Sequence, residues 1–159
     1  MKIGITREKN VPNRWIDQGA TEALSIMLVN ERLLSGLIEI EFKKNINDRT
    51  NWRKMLTASG SKKINLKESM KNLLSLKEKF IEKIKKKYGE KNISILNENV
   101  QKIIYPVIEY PIKIHSYNLD KNPLVQDTIK GIKGQYIIMD KGVLNIRKYS
   151  GYLCKISIQ

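Results

Sequence analysis

The sequence predicts an α+β protein with α/β character. A small sheet with helices is expected over residues 1–92, followed by a β-rich segment over 93–159. Three observations carry this reading. Leu66 to Tyr88 shows apolar residues at helical spacing: Leu66, Met70, Leu73, Leu74, Phe80, Ile81 and Ile84. The first part also holds short apolar runs of strand length, such as Leu24 to Val29. Beyond residue 100 the texture changes. Isoleucines and valines mix with polar residues, Pro106 and Pro111 break the pattern, and glycines punctuate Gly131 to Gly151.

Each element has a local reason. Lys2 to Thr6 alternates around Gly4 and reads as a strand. Pro12 suits the first turn of a short helix, Asn13 to Gln18, closed by Gly19. Asn30 is expected to cap a helix from Arg32 to Asn45 with Leu33, Leu34, Leu37 and Ile38 inward. Ile38 to Phe42 also alternates with period two, which leaves a strand as the competing reading. Asp48 or Thr50 can cap a short helix carrying Trp52, Met55 and Leu56. Leu66 to Tyr88 is expected as one helix ended by Gly89, with Lys85, Lys86 and Lys87 favourably placed at its C-terminal turn. On its outer face Glu82 has Lys79, Lys85 and Lys86 three or four positions away, where opposite charges can pair. The C-terminal segment reads as strands at Tyr136 to Met139, Val143 to Ile146 and Tyr152 to Ile158, with a turn at Asp140-Lys141-Gly142.

Composition narrows the function classes. The chain has 159 residues and 41% hydrophobic content, enough for a packed core, which excludes a wholly disordered chain. No apolar run approaches the roughly 20 residues of a membrane span, and the start lacks a secretory-type apolar stretch. A cytoplasmic location and no membrane partner are therefore the expectation. One cysteine, Cys154, excludes an internal disulfide, and one histidine, His115, excludes any site needing two. The formal charge is +14. Residues 43–91 hold 16 Lys+Arg and 5 Asp+Glu, a net +11. Such a block attracts polyanions, because each neutralised phosphate releases counterions, so nucleic acid is the first partner to consider. The cations are 24 Lys and 6 Arg, whereas base and phosphate readout leans on Arg.

The candidate chemistry is sparse. Glu39 and Glu41 stand two positions apart and so do not share a helical face. Either can hold Mg²⁺ through oxygen with water and phosphate completing the shell, or simply be a solvated glutamate. Arg14 is a phosphate clamp or a surface arginine. Trp15 and Trp52 read as packing residues, His115 as lying in or beside a strand, and Cys154 as a buried small hydrophobe. Gly131-Ile132-Lys133-Gly134 reads as a turn between strands. Gln135, Arg147, Lys148, Tyr149 and Tyr152 form either a nucleic-acid contact or a plain hairpin surface.

Several blocks carry a resemblance. They are Lys2 to Arg7, Val11-Pro12-Asn13-Arg14-Trp15-Ile16-Asp17-Gln18-Gly19-Ala20, Asp48 to Leu56, Gly131 to Tyr136 and Gly142 to Tyr152. As a set they resemble the bacterial family named domain of unknown function 2797. More distantly, that family resembles the GIY-YIG nuclease superfamily, whose small sheet-and-helix domain cuts nucleic acid with one divalent metal. Ile3-Gly4 matches the end of its second motif, with Lys2 where a tyrosine often stands, and Thr6 matches a small polar residue. Arg14 matches the helix arginine that meets the scissile phosphate. Glu39, in Gly36-Leu37-Ile38-Glu39, matches the metal glutamate, with Glu41 as the fallback.

The resemblance thus implies a GIY-YIG-like domain over 1–92 that lacks its first strand. Arg14 and Glu39 would be catalytic, and Mg²⁺ or Mn²⁺ would sit on Glu39. Arg14, Lys62, Lys63, Lys85, Lys86, Lys87, Arg147 and Lys148 would contact nucleic acid. The tyrosine-bearing first strand and an upstream cysteine segment of relatives would precede residue 1, so the chain is expected to be N-terminally shortened. Gln18 stands near the position of a superfamily histidine. A strand at Lys2 to Thr6 without its neighbour would expose an edge open to self-association or a protein partner. The alternatives to an Mg²⁺-dependent endonuclease are a non-catalytic interaction module and a decayed fragment of a longer family member.

Overall fold

The computed structural model describes residues 1–46, 51–57 and 64–158. It is an α+β structure that divides into two compact units. Among the described residues, the first unit takes 1–15, 20–46 and 64–103, and the second takes 16–19, 51–57 and 104–158.

The first unit contains most of α1 (Val11–Asp17), then β1 (Glu22–Ala23), β2 (Met27–Val29) and α2 (Arg32–Lys43). It continues with α4 (Leu66–Leu76), α5 (Glu78–Tyr88), β3 (Ile93–Ile95) and β4 (Gln101–Lys102); α3 belongs to the second unit. Its strands form two separate antiparallel ladders. In one, β1 pairs β4 with Ala23 opposite Gln101; in the other, β2 pairs β3 with Leu28 opposite Ser94. Of the expected strand at Leu24 to Val29 only Met27–Val29 forms, since residues 24–26 link β1 to β2 and these two strands pair with different partners.

Helix α2 decides between its two readings. Leu34, Ile38 and Phe42, each four apart, are the buried residues, and this stacks them on one helical face. Leu33 is 57% exposed and does not face inward as expected. Asn30 is not the cap. Glu31 holds that position without a side-chain bond, while the Asn30 amide donates to Asn92 Oδ1 at 3.2 Å. The core joins Leu34, Ile38 and Phe42 to Leu73, Ile81, Ile84 and Ile93. Burial of each large apolar side chain contributes on the order of 1.5–3 kcal/mol.

Two further expectations fail in this unit. Leu66 to Tyr88 is two helices rather than one, because the chain leaves helical geometry at Lys77 (φ −106°, ψ 10°). Lys77 is buried, and its ammonium reaches Glu41 across on α2 at 2.9 Å. Lys2 to Thr6 belongs to no sheet. Of these residues only Ile3 withdraws from water, so the alternation is not used and no strand edge is offered. Gly89 does end α5, at φ 94°.

The second unit contains α3 (Trp52–Met55) and a meander of β5 (Ile129–Lys133), β6 (Tyr136–Met139) and β7 (Val143–Asn145). Asn51 caps α3 by accepting from the Lys54 amide; the expected caps Asp48 and Thr50 lie outside the described residues. Gly134 turns the β5–β6 hairpin at φ 58°, and a Cβ there would meet Asp17 O and Gly19 N at 3.0 Å. With positive φ at the first loop residue and not at Gln135, the loop has the type II′ pattern. Leu56, Ile138 and Val143 form the core, and Trp52 packs against it, stacked on Tyr136 at 5.5 Å. His115 lies beside β7 and accepts from the Val143 amide. The expected strand at Tyr152 to Ile158 is not formed: residues 151–158 are exposed and extend beyond the meander. Cys154 is therefore exposed rather than buried. Among the described residues, no helix is long and apolar enough to cross a membrane.

Candidate functional site

Helical spacing puts Ser35 and Glu39 one turn apart on α2, with Ile38 turned to the core between them. That same face meets the segment Ile3-Gly4-Ile5 and the strand region Ile26, Met27 and Val29. Together these nine residues line a cavity of about 70 Å³ in the first unit. Its walls are mostly apolar. Among the described residues Glu39 is the sole carboxylate that lines it, and Ser35 supplies a hydroxyl already donated to Arg32 O at 2.7 Å. The Glu39 carboxylate has one cation nearby, Lys43 at 3.4 Å.

Glu41 is differently placed. It accepts from Lys44 at 2.6 Å and from Lys77 at 2.9 Å. These bonds, Lys44 first and Lys77 second, hold its carboxyl below the ordinary range. Glu41 thus ties α2 to the residue between α4 and α5, whereas Glu39 borders the cavity.

The other expected residues are scattered. Arg14 is exposed on α1 and does not line the cavity. Lys62 and Lys63 lie outside the described residues. Lys86 and Lys87 are exposed at the end of α5, and Lys85 is half-buried. None of Lys79, Lys85 and Lys86 forms an ion pair with Glu82; the ion pairs among the described residues lie elsewhere. Lys87 lies over the Tyr88 ring at 5.1 Å.

In the second unit Arg147 is exposed, but Lys148 is committed. Its ammonium donates to Asp120 Oδ2 and to the Tyr149 hydroxyl, each at 3.0 Å. Tyr149, buried, accepts from the Leu119 amide at 3.0 Å, and Tyr152 donates to Asp120. Bonding to Tyr149 and then to Asp120 raises the Lys148 pKa. This network pins residues 118–120 to the turn after β7. Lys133, within the Gly131–Gly134 block, is also occupied: it is buried and donates to Met55 O at 3.0 Å.

Sequence reasoning missed Ser35 and the apolar β2 wall. The four-residue offset from Glu39 could have revealed Ser35. The wall had no signal, since it depends on residues 26–29 folding against 3–5. Among the described residues, no group of three or more His, Cys, Asp or Glu is placed to hold a metal ion. A cation at Glu39 would thus take one protein carboxylate and complete its shell with water and phosphate, a habit of Mg²⁺.

A family model described as protein of unknown function (DUF2797) matches residues 1–154. No curated protein and no solved structure gives a significant match.

Proposed function

The chain belongs to the DUF2797 family, and we propose that it binds nucleic acid, with the Glu39 cavity as the place where a divalent cation meets a phosphodiester. One observation carries the reading: Ile3-Gly4-Ile5 and Glu39, far apart in sequence, line one cavity. These are the motif glycine and the metal glutamate that the resemblance to GIY-YIG nucleases pairs. The +11 charge of residues 43–91 supports a polyanionic substrate.

Glu39 would hold Mg²⁺ or Mn²⁺ through its carboxylate. Such an ion polarises a phosphoryl oxygen and stabilises the leaving oxygen. The apolar walls from Ile26, Met27, Val29 and Ile38 limit water around the Glu39 carboxylate, which strengthens its attraction for a cation. Arg14, exposed on α1, is available to offset phosphate charge.

The test is incubation with labelled single- and double-stranded DNA and RNA, in Mg²⁺ or Mn²⁺ against EDTA. Cleavage that needs metal and vanishes in Glu39→Ala supports the cavity as the reacting site. Absence of cleavage by folded protein removes the enzymatic part and leaves binding.

A second reading has its own observation. In the second unit Ile104, Ile108 and Ile112 are 95%, 88% and 92% exposed, which favours docking of a protein partner. Light scattering distinguishes it: Ile108→Asp with Ile112→Asp would abolish any concentration-dependent association.

A further inference from the structure

We propose that the nucleic-acid backbone lies along one face of α5, formed by Lys79, Lys83, Lys86 and Lys87, and that Lys85 takes no part. The proposal rests on the nucleic-acid reading above and names its contact surface.

At 3.6 residues per turn, these four lysines fall within a roughly 100° arc of the helix. The buried residues Ile81 and Ile84 lie on the other side. Lys85 projects outside the arc, separated from Lys83 by about 160°, and is half-buried. The run Lys85-Lys86-Lys87 is therefore not a unit. Two of its members join a stripe with residues four and eight positions earlier than Lys87.

The stripe's charge is not spent within the fold. Glu82 flanks it but pairs with none of its lysines, and no ion pair among the described residues involves a residue of α5. Lys87 alone has a partner, the face of Tyr88, which leaves its charge intact. Lys79, Lys83, Lys86 and Lys87 are all exposed.

The geometry favours a nucleic-acid strand over a bilayer. From Lys79 to Lys87 the stripe covers about 12 Å of helix axis. That equals the axial run of about three or four phosphates on one strand of duplex DNA. A membrane-lying helix needs a free apolar face to insert. The apolar side of α5 is used instead in the core, through Ile81 and Ile84 with Phe80 and Tyr88 packed against it.

The experiment compares salt dependence. Binding of a fluorescein-labelled 20-base-pair DNA duplex is titrated from 50 to 300 mM KCl for three proteins. These are the wild-type chain, the Lys79→Gln/Lys83→Gln/Lys86→Gln/Lys87→Gln variant and Lys85→Gln. Circular dichroism checks that all three are folded. The magnitude of the slope of log K against log[salt] should drop by about 3–4 in the fourfold variant, since each neutralised phosphate contributes about 0.9. In Lys85→Gln it should change by less than about 0.5. An unchanged slope in the fourfold variant, with steep binding by wild type, overturns the stripe while leaving nucleic-acid binding intact. No binding of this duplex by wild type overturns the stripe proposal, and failure also with single-stranded DNA and with RNA overturns both readings together. Stripe-dependent binding to phosphatidylserine vesicles without binding to DNA overturns the proposal in favour of a membrane surface.

Discussion

The Lys77 ammonium lies 2.9 Å from Glu41 Oε1, joining the break between α4 and α5 to the last turn of α2. Lys77 is buried, and Glu41 also accepts from Lys44, so this carboxylate neutralises one cation beside the core and one at its edge. The pair sits at the split of the apolar stripe and engages Glu41, whereas Glu39 lines the cavity.

Glu41→Gln should lower the melting temperature at pH 7, because it leaves the Lys77 charge buried without its partner. Glu41 has a lowered carboxyl pKa in the folded state, owing to Lys44 and then Lys77. Its contribution is therefore present above the ordinary value of 4.5 and is lost as pH falls below it. Thermal melts at pH 7 and pH 3 should show the gap between wild type and variant closing at the lower pH.

The register of α2 is tested by two neighbouring leucines. Leu34 is fully buried and Leu33 is mostly exposed. Leu34→Ala should cost about 2–5 kcal/mol in urea unfolding, by lost burial and a cavity. Leu33→Ala should fall within about 0.5 kcal/mol of wild type.

Tyr149→Phe should destabilise the second unit by about 1–3 kcal/mol, because the Leu119 amide loses its acceptor inside the structure. Tyr152→Phe, on a half-exposed side chain, should cost less. Urea unfolding of the two variants gives the comparison.

Three tyrosines should titrate late: Tyr105, Tyr117 and Tyr152, the last raised by its hydrogen bond to Asp120. Burial pushes the Tyr105 phenol up to about 12, and a hydrogen bond to Asp127 followed by burial does the same for Tyr117. In the unfolded chain both ionise near 10, so their contribution to stability is complete below pH 10 and is lost as pH rises toward 12. Phenolate absorbance at 295 nm should show a delayed phase, and Asp127→Asn should move part of it to lower pH.

Local pattern made some of this structure legible. Leu34, Ile38 and Phe42 announce a helix by spacing alone, and Gly89 and Gly134 mark an end and a turn through positive φ. Features that depend on distant residues were not readable. The buried Lys77 at the break meets Glu41, 36 positions away. Lys2 to Thr6 has strand alternation but lines a cavity instead of joining a ladder. Lys148 looked like a free cation until Asp120 and Tyr149 were placed beside it. The resemblance singled out Glu39, but its place beside Ser35 and the apolar wall needed the folded chain. The lysine run at 85–87 was visible, but only helical geometry separates Lys85 from Lys86 and Lys87.

The central claim is that this chain binds nucleic acid through its charge, and the direct measurement is fluorescence anisotropy of labelled DNA and RNA with the wild-type protein across a salt series. The account predicts binding at 50 mM KCl whose log K falls linearly with log[salt], with a slope magnitude of at least about 3. Failure of folded protein to bind any of these nucleic acids at low salt, or binding that salt leaves unchanged, would contradict it.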